Sequence, residues 1–128
     1  SEVMRWHKLD LLHVHYAIPH AVSAFLAREM MGGEVKIVTT LHGTDVTIIG
    51  KDPSYRDLTA MAVQRSCAVT AVSNSLQQEA KESLGVVKDI DVIHNFVNPR
   101  RFHPDIQWLF FLYVRHLLEH QECLNNLR

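Results

Sequence analysis

The sequence predicts an α/β fold: a partial Rossmann-like open parallel sheet with flanking helices, followed by a helix at the carboxyl end. Short apolar runs rich in β-branched residues alternate with longer stretches in which apolar residues recur every three or four positions. This alternation is typical of parallel sheets, in which a helix joins each strand to the next. Hydrophobic residues make up 47% and charged residues 21% of the 128 residues, as in globular domains.

The first strand and helix are predicted near the amino terminus. Residues 9–15 form a short apolar run bounded by polar residues, which indicates a strand. Pro19 suits the first turn of the following helix, because a backbone N–H there has no helical partner. Apolar residues keep helical spacing to Met30, and the Gly32-Gly33 pair is expected to end the helix.

The second strand and helix follow the same order. Residues 35–41 are mostly β-branched, as expected for a strand covered on both faces. A loop is predicted over residues 42–53. Ser54 is then the expected cap of a helix, since Asp57 follows three residues later in a weak form of the capping box.

Two more strands complete the predicted sheet. Residues 67–72 form the third strand, and residues 90–93 the fourth. Between them, a helix is expected to begin after Ser73, run to Leu84 and end at Gly85.

Charge and composition exclude several classes of protein. Thirteen basic and 14 acidic side chains give a net charge of −1, so nothing favours binding to nucleic acid or an anionic membrane. The longest apolar run, residues 108–114, is far shorter than the roughly 20 residues of a membrane-spanning helix. Cys67 and Cys123 form no CxxC pair, and no signal peptide is evident, so a cytoplasmic protein is predicted.

Polar side chains follow all four predicted strands. Open parallel sheets bind ligands beyond the carboxyl ends of their strands, which makes these residues the candidate site. Thr40 and His42 share one strand face, and Gly43 lets the backbone turn close to a ligand. An alternative is that Thr44 and Asp45 simply stabilise this loop through side-chain turns. The polar residues at the strand ends are His13, His15, Tyr16, Thr40, His42, Thr44, Asp45, Ser73, Asn74, His94 and Asn95.

Zinc binding is a weaker alternative. His13 and His15 lie two apart on a strand and so face the same way, and His20 and His42 could join them. No HExxH motif or cysteine pair supports such a site, and histidines at sheet edges are more often simply hydrogen-bonded. No metal is expected.

Dinucleotide binding and nucleophilic catalysis lack their sequence signatures. No GxGxxG follows a strand, and no GxSxG motif is present. Cys67 opens an apolar strand, so inert burial is expected for its thiol.

Four segments resemble a known enzyme family. LDLLHVHYAIPHA (residues 9–21), IVTTLHGTDVTIIGKDPS (37–54), AVTAVSNSL (68–76) and VIHNFVN (92–98) are similar to the amino-terminal domain of retaining glycosyltransferases with two Rossmann-like domains, the GT-B type of family 4. The similarity spans about residues 2–103. HYAIPHA together with TTLHGTD is specific for the malate-accepting members of that family.

This resemblance implies a reaction. N-acetylglucosamine would pass from UDP-N-acetylglucosamine to the hydroxyl of L-malate, the first step of bacillithiol biosynthesis, with retention at the anomeric carbon. No metal or other cofactor is implied. The partners are a small-molecule acceptor and the UDP-sugar, and a homo-oligomer is compatible with the family. The acceptor would sit on the amino-terminal domain, and the second domain would hold the nucleotide sugar.

The resemblance also implies roles for individual residues. Tyr16 and Thr40 match acceptor-carboxylate contacts, and His42 matches the catalytic-site histidine that faces the donor sugar. Arg56 is a weaker match for a residue that pairs with an acceptor carboxylate. These types suit malate, a dianion that needs hydrogen-bond donors and positive charge.

Two asparagines would border the cleft between the domains, and two other positions depart from the family. Asn74 and Asn95 are the expected cleft residues. His94 stands where the family usually has tyrosine, and Asn98 where aspartate is frequent.

The resemblance ends near residue 103, which predicts two parts. Residues 1–103 are expected to be an incomplete acceptor-side domain, with the family's first strands upstream, and residues 104–128 a helical tail that the family lacks. Such a fragment is expected to be inactive by itself. Two alternatives remain open: a related glycosyltransferase with a sugar or lipid acceptor, and a non-catalytic α/β module that binds a partner through residues 108–114.

Overall fold

Four parallel strands form one sheet in the computed structural model, which describes residues 1–100 of the chain. The strands are β1 (Leu11–His15), β2 (Lys36–Leu41), β3 (Ala68–Ala71) and β4 (Asp91–Val92). The helices are α1 (Glu2–His7), α2 (Val22–Glu29), α3 (Thr44–Thr47), α4 (Pro53–Arg65) and α5 (Asn74–Leu84). The predicted helical tail and the apolar run at residues 108–114 lie outside the described residues.

The strands are adjacent in the same order as in the sequence, β1-β2-β3-β4. The register pairs His15 with Thr40, Thr40 with Thr70, and Thr70 with Asp91. This confirms the predicted α/β class and parallel sheet. Because every crossover moves in the same direction and crossovers are right-handed, the connecting helices all lie on one face of the sheet.

Burial shows which face the helices cover. Side chains of Ile37, Leu41 and Val69 are at most 1% exposed and pack in one cluster with residues of α2, α4 and α5. Their neighbours along the strands, which point to the opposite face, are mostly exposed or half-buried. We call this opposite side the open face. The side chains on it are those of Leu11, His13, His15, Val38, Thr40, Ala68 and Thr70.

Small residues let the helices approach the sheet closely. Ala17, Ala21, Ala62, Ala71 and Ala80 are all fully buried in the core. Interiors packed this tightly have no room for added methylene groups. The helices are therefore held at a fixed distance from the strand ends they flank.

The helix caps both confirm and correct the predictions. Ser73 caps α5 as predicted, since its hydroxyl accepts from Leu76 N at 3.2 Å, and Gly85 ends that helix with φ 64°. The prediction of Ser54 as the cap of α4 was wrong. Asp52 is the cap, and its carboxylate accepts from Ser54 N at 2.8 Å. Pro53 takes the first helical position and so fixes the residue before it as the cap.

Several predicted bounds also differ. The helix expected to open at Pro19 becomes regular only at Val22, because Ile18 is extended (φ −121°, ψ 134°), as residues before proline tend to be. The Ile18–Pro19 peptide bond is cis. The loop predicted over residues 42–53 contains α3 and a single tighter turn, Ile49–Lys51.

Cys67 is exposed, so its predicted burial was wrong. The residue precedes β3, and its backbone N–H donates to Ile37 O at 2.7 Å, at the amino-terminal edge of the sheet. Its side chain therefore lies outside the layer between sheet and helices.

Within residues 1–100, no helix has the length and apolar character needed to cross a membrane. The longest, α4, has 13 residues, against the roughly 20 that a bilayer requires.

Among the described residues, Ser1–Asn95 form one compact unit. The predicted domain boundary at residue 103 stays a prediction.

Candidate active site at the carboxyl edge of the sheet

The ends of β1 and β2 bring three predicted site residues together. Tyr16 directly follows β1, and its backbone N–H donates to Thr40 O in β2 at 2.9 Å. The Tyr16 and His42 rings lie 4.9 Å apart between centroids. Tyr16, Thr40 and His42 thus share one edge of the sheet, and their roles in binding and catalysis remain predictions.

Tyr16 adopts a backbone conformation that L residues rarely take. Its φ is 73° and its ψ is 133°. Such a conformation costs on the order of 1–3 kcal/mol and persists only where the surroundings determine it. Here the bond from Tyr16 N to Thr40 O and the bond from Ala21 N to Tyr16 O hold the residue from both sides. The strained backbone turns the Tyr16 ring towards His42.

A buried carboxylate ties the two strand ends together. Asp45 has no exposed surface. Its Oδ2 accepts from Ala17 N at 3.0 Å, while Oδ1 accepts from Gly43 N at 3.0 Å and from His42 N at 3.3 Å. Asp45 thereby stabilises the loop, as the alternative interpretation of this motif expected. It also fixes the backbone of His42 relative to the turn after β1, a role that sequence reasoning missed.

A row of hydrogen bonds runs across the open face behind these residues. His13 Nε2 lies 2.8 Å from Thr40 Oγ1, which lies 2.7 Å from Thr70 Oγ1. Thr40 is only 8% exposed, and its hydroxyl contacts the side chains of both His13 and Thr70. The row places a hydroxyl with defined bonding partners beside Tyr16.

Three imidazoles form what we call the histidine cluster: His13, His15 and His42. The rings of His13 and His15 are stacked, with centroids 4.9 Å apart. His15 Nδ1 lies 2.7 Å from His42 Nε2, and these ring centroids are 5.0 Å apart. His20 Nδ1 donates to the carbonyl oxygen of His15. The cluster therefore joins the open face to the strand-end loops.

The cluster does not have the form of a metal site. In the part of the chain that the structure describes, no three His, Cys, Asp or Glu side chains converge as metal ligands. One nitrogen of each ring, His13 Nε2 and His15 Nδ1, contacts Thr40 and His42.

His42 also lines a cavity of about 270 Å³, to which Tyr16 and Thr40 do not contribute. The Ser73 and Ser75 hydroxyls lie 3.1 Å apart in its wall, and Glu79 lines it while pairing with Lys51 at 2.6 Å. Gly43, with φ 138°, lets the loop pass in a conformation that a side chain would strain. The lining residues are His42, Gly43, Thr47, Val72, Ser73, Ser75, Leu76 and Glu79. Hydroxyls and a carboxylate suit a small polyhydroxylated ligand.

Arg56 lies elsewhere. Its Nε donates to Ser83 O at 2.9 Å, and it lines a separate cavity of about 520 Å³. None of Tyr16, Thr40 and His42 lines that cavity. The structure thus does not bring Arg56 to the other predicted acceptor contacts.

The two predicted cleft asparagines follow strand ends, apart from the hydrogen-bonded group. Asn74 is the first residue of α5, next to Ser73 in the cavity wall. Asn95 lies just beyond β4. Among residues 1–100, neither side chain hydrogen-bonds to Tyr16, Thr40 or His42.

Comparisons with known proteins identify the family of this chain. Residues 1–101 match the model of glycosyltransferase family 4. The chain is 51% identical over 100 residues, 78% of its length, to the N-acetyl-alpha-D-glucosaminyl L-malate synthase of Bacillus anthracis. It is 36% identical over 80 residues, 59% of its length, to a Bacillus subtilis glycosyltransferase whose name gives teichuronic acid biosynthesis as a provisional assignment.

These matches cover a small part of each relative. The chain spans 26% of the Bacillus anthracis protein and 19% of the Bacillus subtilis protein. The family match nevertheless includes most of the chain and all four strands of the sheet. The chain belongs to glycosyltransferase family 4.

Proposed function

We propose that this chain is the acceptor-side part of a retaining glycosyltransferase that transfers N-acetylglucosamine from UDP-N-acetylglucosamine to the hydroxyl of L-malate, the first step of bacillithiol biosynthesis. The 51% identity to an N-acetyl-alpha-D-glucosaminyl L-malate synthase supports the choice of acceptor and donor. The observation that carries the proposal is the meeting of Tyr16, Thr40 and His42 at the strand ends.

The acceptor would bind on the Tyr16 side of His42. Malate is a dianion, and hydrogen bonds from hydroxyl and imidazole groups to a carboxylate are stronger than those between neutral groups. Thr40 and Tyr16 would supply such hydroxyls. The Thr40 proton is free for malate when His13 Nε2–H and the Thr70 hydroxyl donate to Thr40, so His13 would support this contact and not make one itself. Arg56 is left out of this acceptor site, because its guanidinium lies in the other cavity.

The sugar of the donor would enter from the opposite side of the same histidine. His42 lines the 270 Å³ cavity with Ser73, Ser75 and Glu79, whose oxygens can bond sugar hydroxyls. His42 therefore lies between the proposed acceptor and sugar subsites. In this proposal Asn74 and Asn95 border the cleft, and a second Rossmann-like domain holds the nucleotide.

In this proposal the site acts by positioning the acceptor and the donor sugar relative to each other. In a retaining transfer without a protein nucleophile, the malate hydroxyl attacks the anomeric carbon on the face that the diphosphate leaves, and the hydroxyl proton passes to the leaving phosphate. Tyr16 and Thr40 would orient the acceptor, and His42 the sugar, so that the reacting atoms meet in one geometry. No metal is part of the proposal.

The test is a transfer assay on the longest protein that the gene encodes. With UDP-N-acetylglucosamine and L-malate, the expected product is the malate glycoside. Parallel reactions offer simple sugars and a lipid acceptor in place of malate. The 128-residue chain by itself is expected to give no product, and turnover by it would contradict its predicted inactivity.

One observation favours a second candidate acceptor. The 36% identity to a teichuronic acid glycosyltransferase is compatible with transfer to a sugar or lipid. In that case Tyr16 and Thr40 would be general polar lining. Product with a sugar or lipid acceptor, and none with malate, would replace the malate proposal with this one.

A further inference from the structure

We propose that His15 is a positioning residue for His42, and that it sets which ring nitrogen of His42 carries the proton. The inference rests on the proposed function only for the role of His42 in transfer. The contact itself, 2.7 Å from His15 Nδ1 to His42 Nε2, is a property of the fold.

The contact is built by the sheet. His15 in β1 is paired with Thr40 in β2. Side chains two residues apart point to the same face, so His42, two residues after Thr40, follows on the face that carries His15. His15 is itself held from two sides. Its ring stacks on His13 at 4.9 Å, and its carbonyl oxygen accepts from His20. The ring is exposed, so its orientation depends on the stacking with His13 and on the contact with His42.

Among residues 1–100, His15 is the side chain that hydrogen-bonds the His42 ring. The Tyr16 ring is tilted by 38° to that ring and makes no hydrogen bond to it, and His13 directs its Nε2 to Thr40. In many sites a carboxylate or carbonyl oxygen orients a functional histidine. Here a second imidazole takes that place.

The proton arrangement follows from the two atoms in contact. A nitrogen–nitrogen hydrogen bond needs one N–H and one lone pair. If His42 Nε2 donates, both rings carry their proton on Nε2, the tautomer that neutral histidine side chains favour in water. If His15 Nδ1 donates, both rings must adopt the less favoured Nδ1–H form. The first arrangement is therefore the stable one.

This arrangement determines what His42 offers a ligand. Its Nε2–H is bound to His15, and its remaining nitrogen, Nδ1, carries a lone pair. His42 thus accepts a hydrogen bond from a substrate hydroxyl and does not donate one through its side chain. Without His15, the His42 ring could rotate by 180° and its proton could move to the other ring nitrogen.

The test is nitrogen NMR of the 128-residue chain with ¹⁵N-labelled histidine, in mildly alkaline solution. The expected result is a His42 ring with a protonated Nε2 and an unprotonated Nδ1, and a scalar coupling across the hydrogen bond to His15 Nδ1. A protonated Nδ1 on His42, or no coupling in the unaltered chain, would overturn the proposal whatever the variants do.

Two variants with the same number of side-chain heavy atoms, both branched at Cγ, separate positioning from packing. His15→Asn places a polar atom where Nδ1 lies, and His15→Leu places a methyl group there. The Asn variant should keep the His42 signals of a single tautomer, and the Leu variant should show a mixture. His7→Leu, on exposed α1, is the control that removes a histidine without touching the cluster. Identical His42 spectra in the Leu and Asn variants would also overturn the proposal.

Kinetics give a separate outcome. In the transfer assay, His15→Leu should lower kcat on the order of tenfold, as removal of an orienting partner commonly does, and leave KM for malate nearly unchanged. His15→Asn should recover most of the rate. Since the NMR result needs no turnover, failure of the malate assay would remove the proposed function and leave the His15–His42 assignment standing.

Discussion

Single residues of this chain act by holding other residues in place. Asp45 is a loop residue by position, but its buried carboxylate accepts three backbone N–H groups from two separate strand ends. Thr40 likewise joins His13 to Thr70. The candidate site therefore depends on polar groups whose partners are distant in sequence.

Replacing Asp45 with alanine should lower the free energy of unfolding by about 3 kcal/mol, since it leaves the buried N–H of Ala17 and the partly buried N–H of Gly43 without acceptors. Asp45→Asn should cost less, because one oxygen remains. Urea denaturation measures both. Asp89→Ala, at an exposed aspartate, is the control and should stay within about 0.5 kcal/mol of the unaltered chain. Equal stability of the two alanine variants would show that the Asp45 carboxylate does not tie the strand ends.

Thr40→Val should weaken malate binding about tenfold or more, because a hydrogen bond to a charged group contributes about 1.5–3 kcal/mol. Valine keeps the β-branched shape, so the fold should persist. Malate titration followed by amide chemical shifts measures the affinity. Thr39→Val is the matched control: Thr39 bonds Ser66 on the core side of the same strand and should not affect malate. Unchanged affinity in the Thr40 variant would remove that hydroxyl from the acceptor site.

At the scale of elements, the helix ends show how local sequence determines structure. Asp52, Pro53 and Ser54 all favour a helix start, and the proline decides between the two candidate caps by occupying the first helical position. Ser73 has no such competitor, and there the cap is simply the residue that the pattern indicates.

Asp52→Ala should therefore destabilise the chain by about 1 kcal/mol, the usual cost of losing a side-chain cap. Ser54→Ala, at the second helical position, should change stability by less than about 0.5 kcal/mol, because its hydroxyl does not cap the helix. The midpoint of urea unfolding compares the two. A larger loss at Ser54 than at Asp52 would restore the cap expected from the sequence.

The sequence predicts elements well and contacts between them only in part. β-branched residues give β2 within one residue of its observed start, and polar strand ends place Tyr16, Thr40 and His42 at one edge. The bond between His15 and His42 was not predicted, because it depends on the register of two strands, which no local pattern contains. The position of Arg56 depends in the same way on how α4 crosses α5.

At the scale of the whole described unit, the sheet is covered by helices on one side. Because the strands are adjacent in sequence order, all the connecting helices lie on one face of the sheet. The row of hydrogen bonds and the histidine cluster lie on the other, open face. This explains how a small α/β unit can present several imidazoles and hydroxyls on a sheet surface that a second helical layer would otherwise bury.

Two alanines of β3 test this one-sided architecture with the same substitution. Ala71 is fully buried under the helices, and Ala68 is exposed on the open face. Ala71→Leu should destabilise the 128-residue chain by about 1–3 kcal/mol, because the core has no room for the added atoms. Ala68→Leu should stay within about 0.5 kcal/mol of the unaltered chain. Urea denaturation of both variants measures the difference. A comparable loss at Ala68 would mean that its face is packed against other parts of the chain, and the histidine cluster could then not be reached by a ligand from that side.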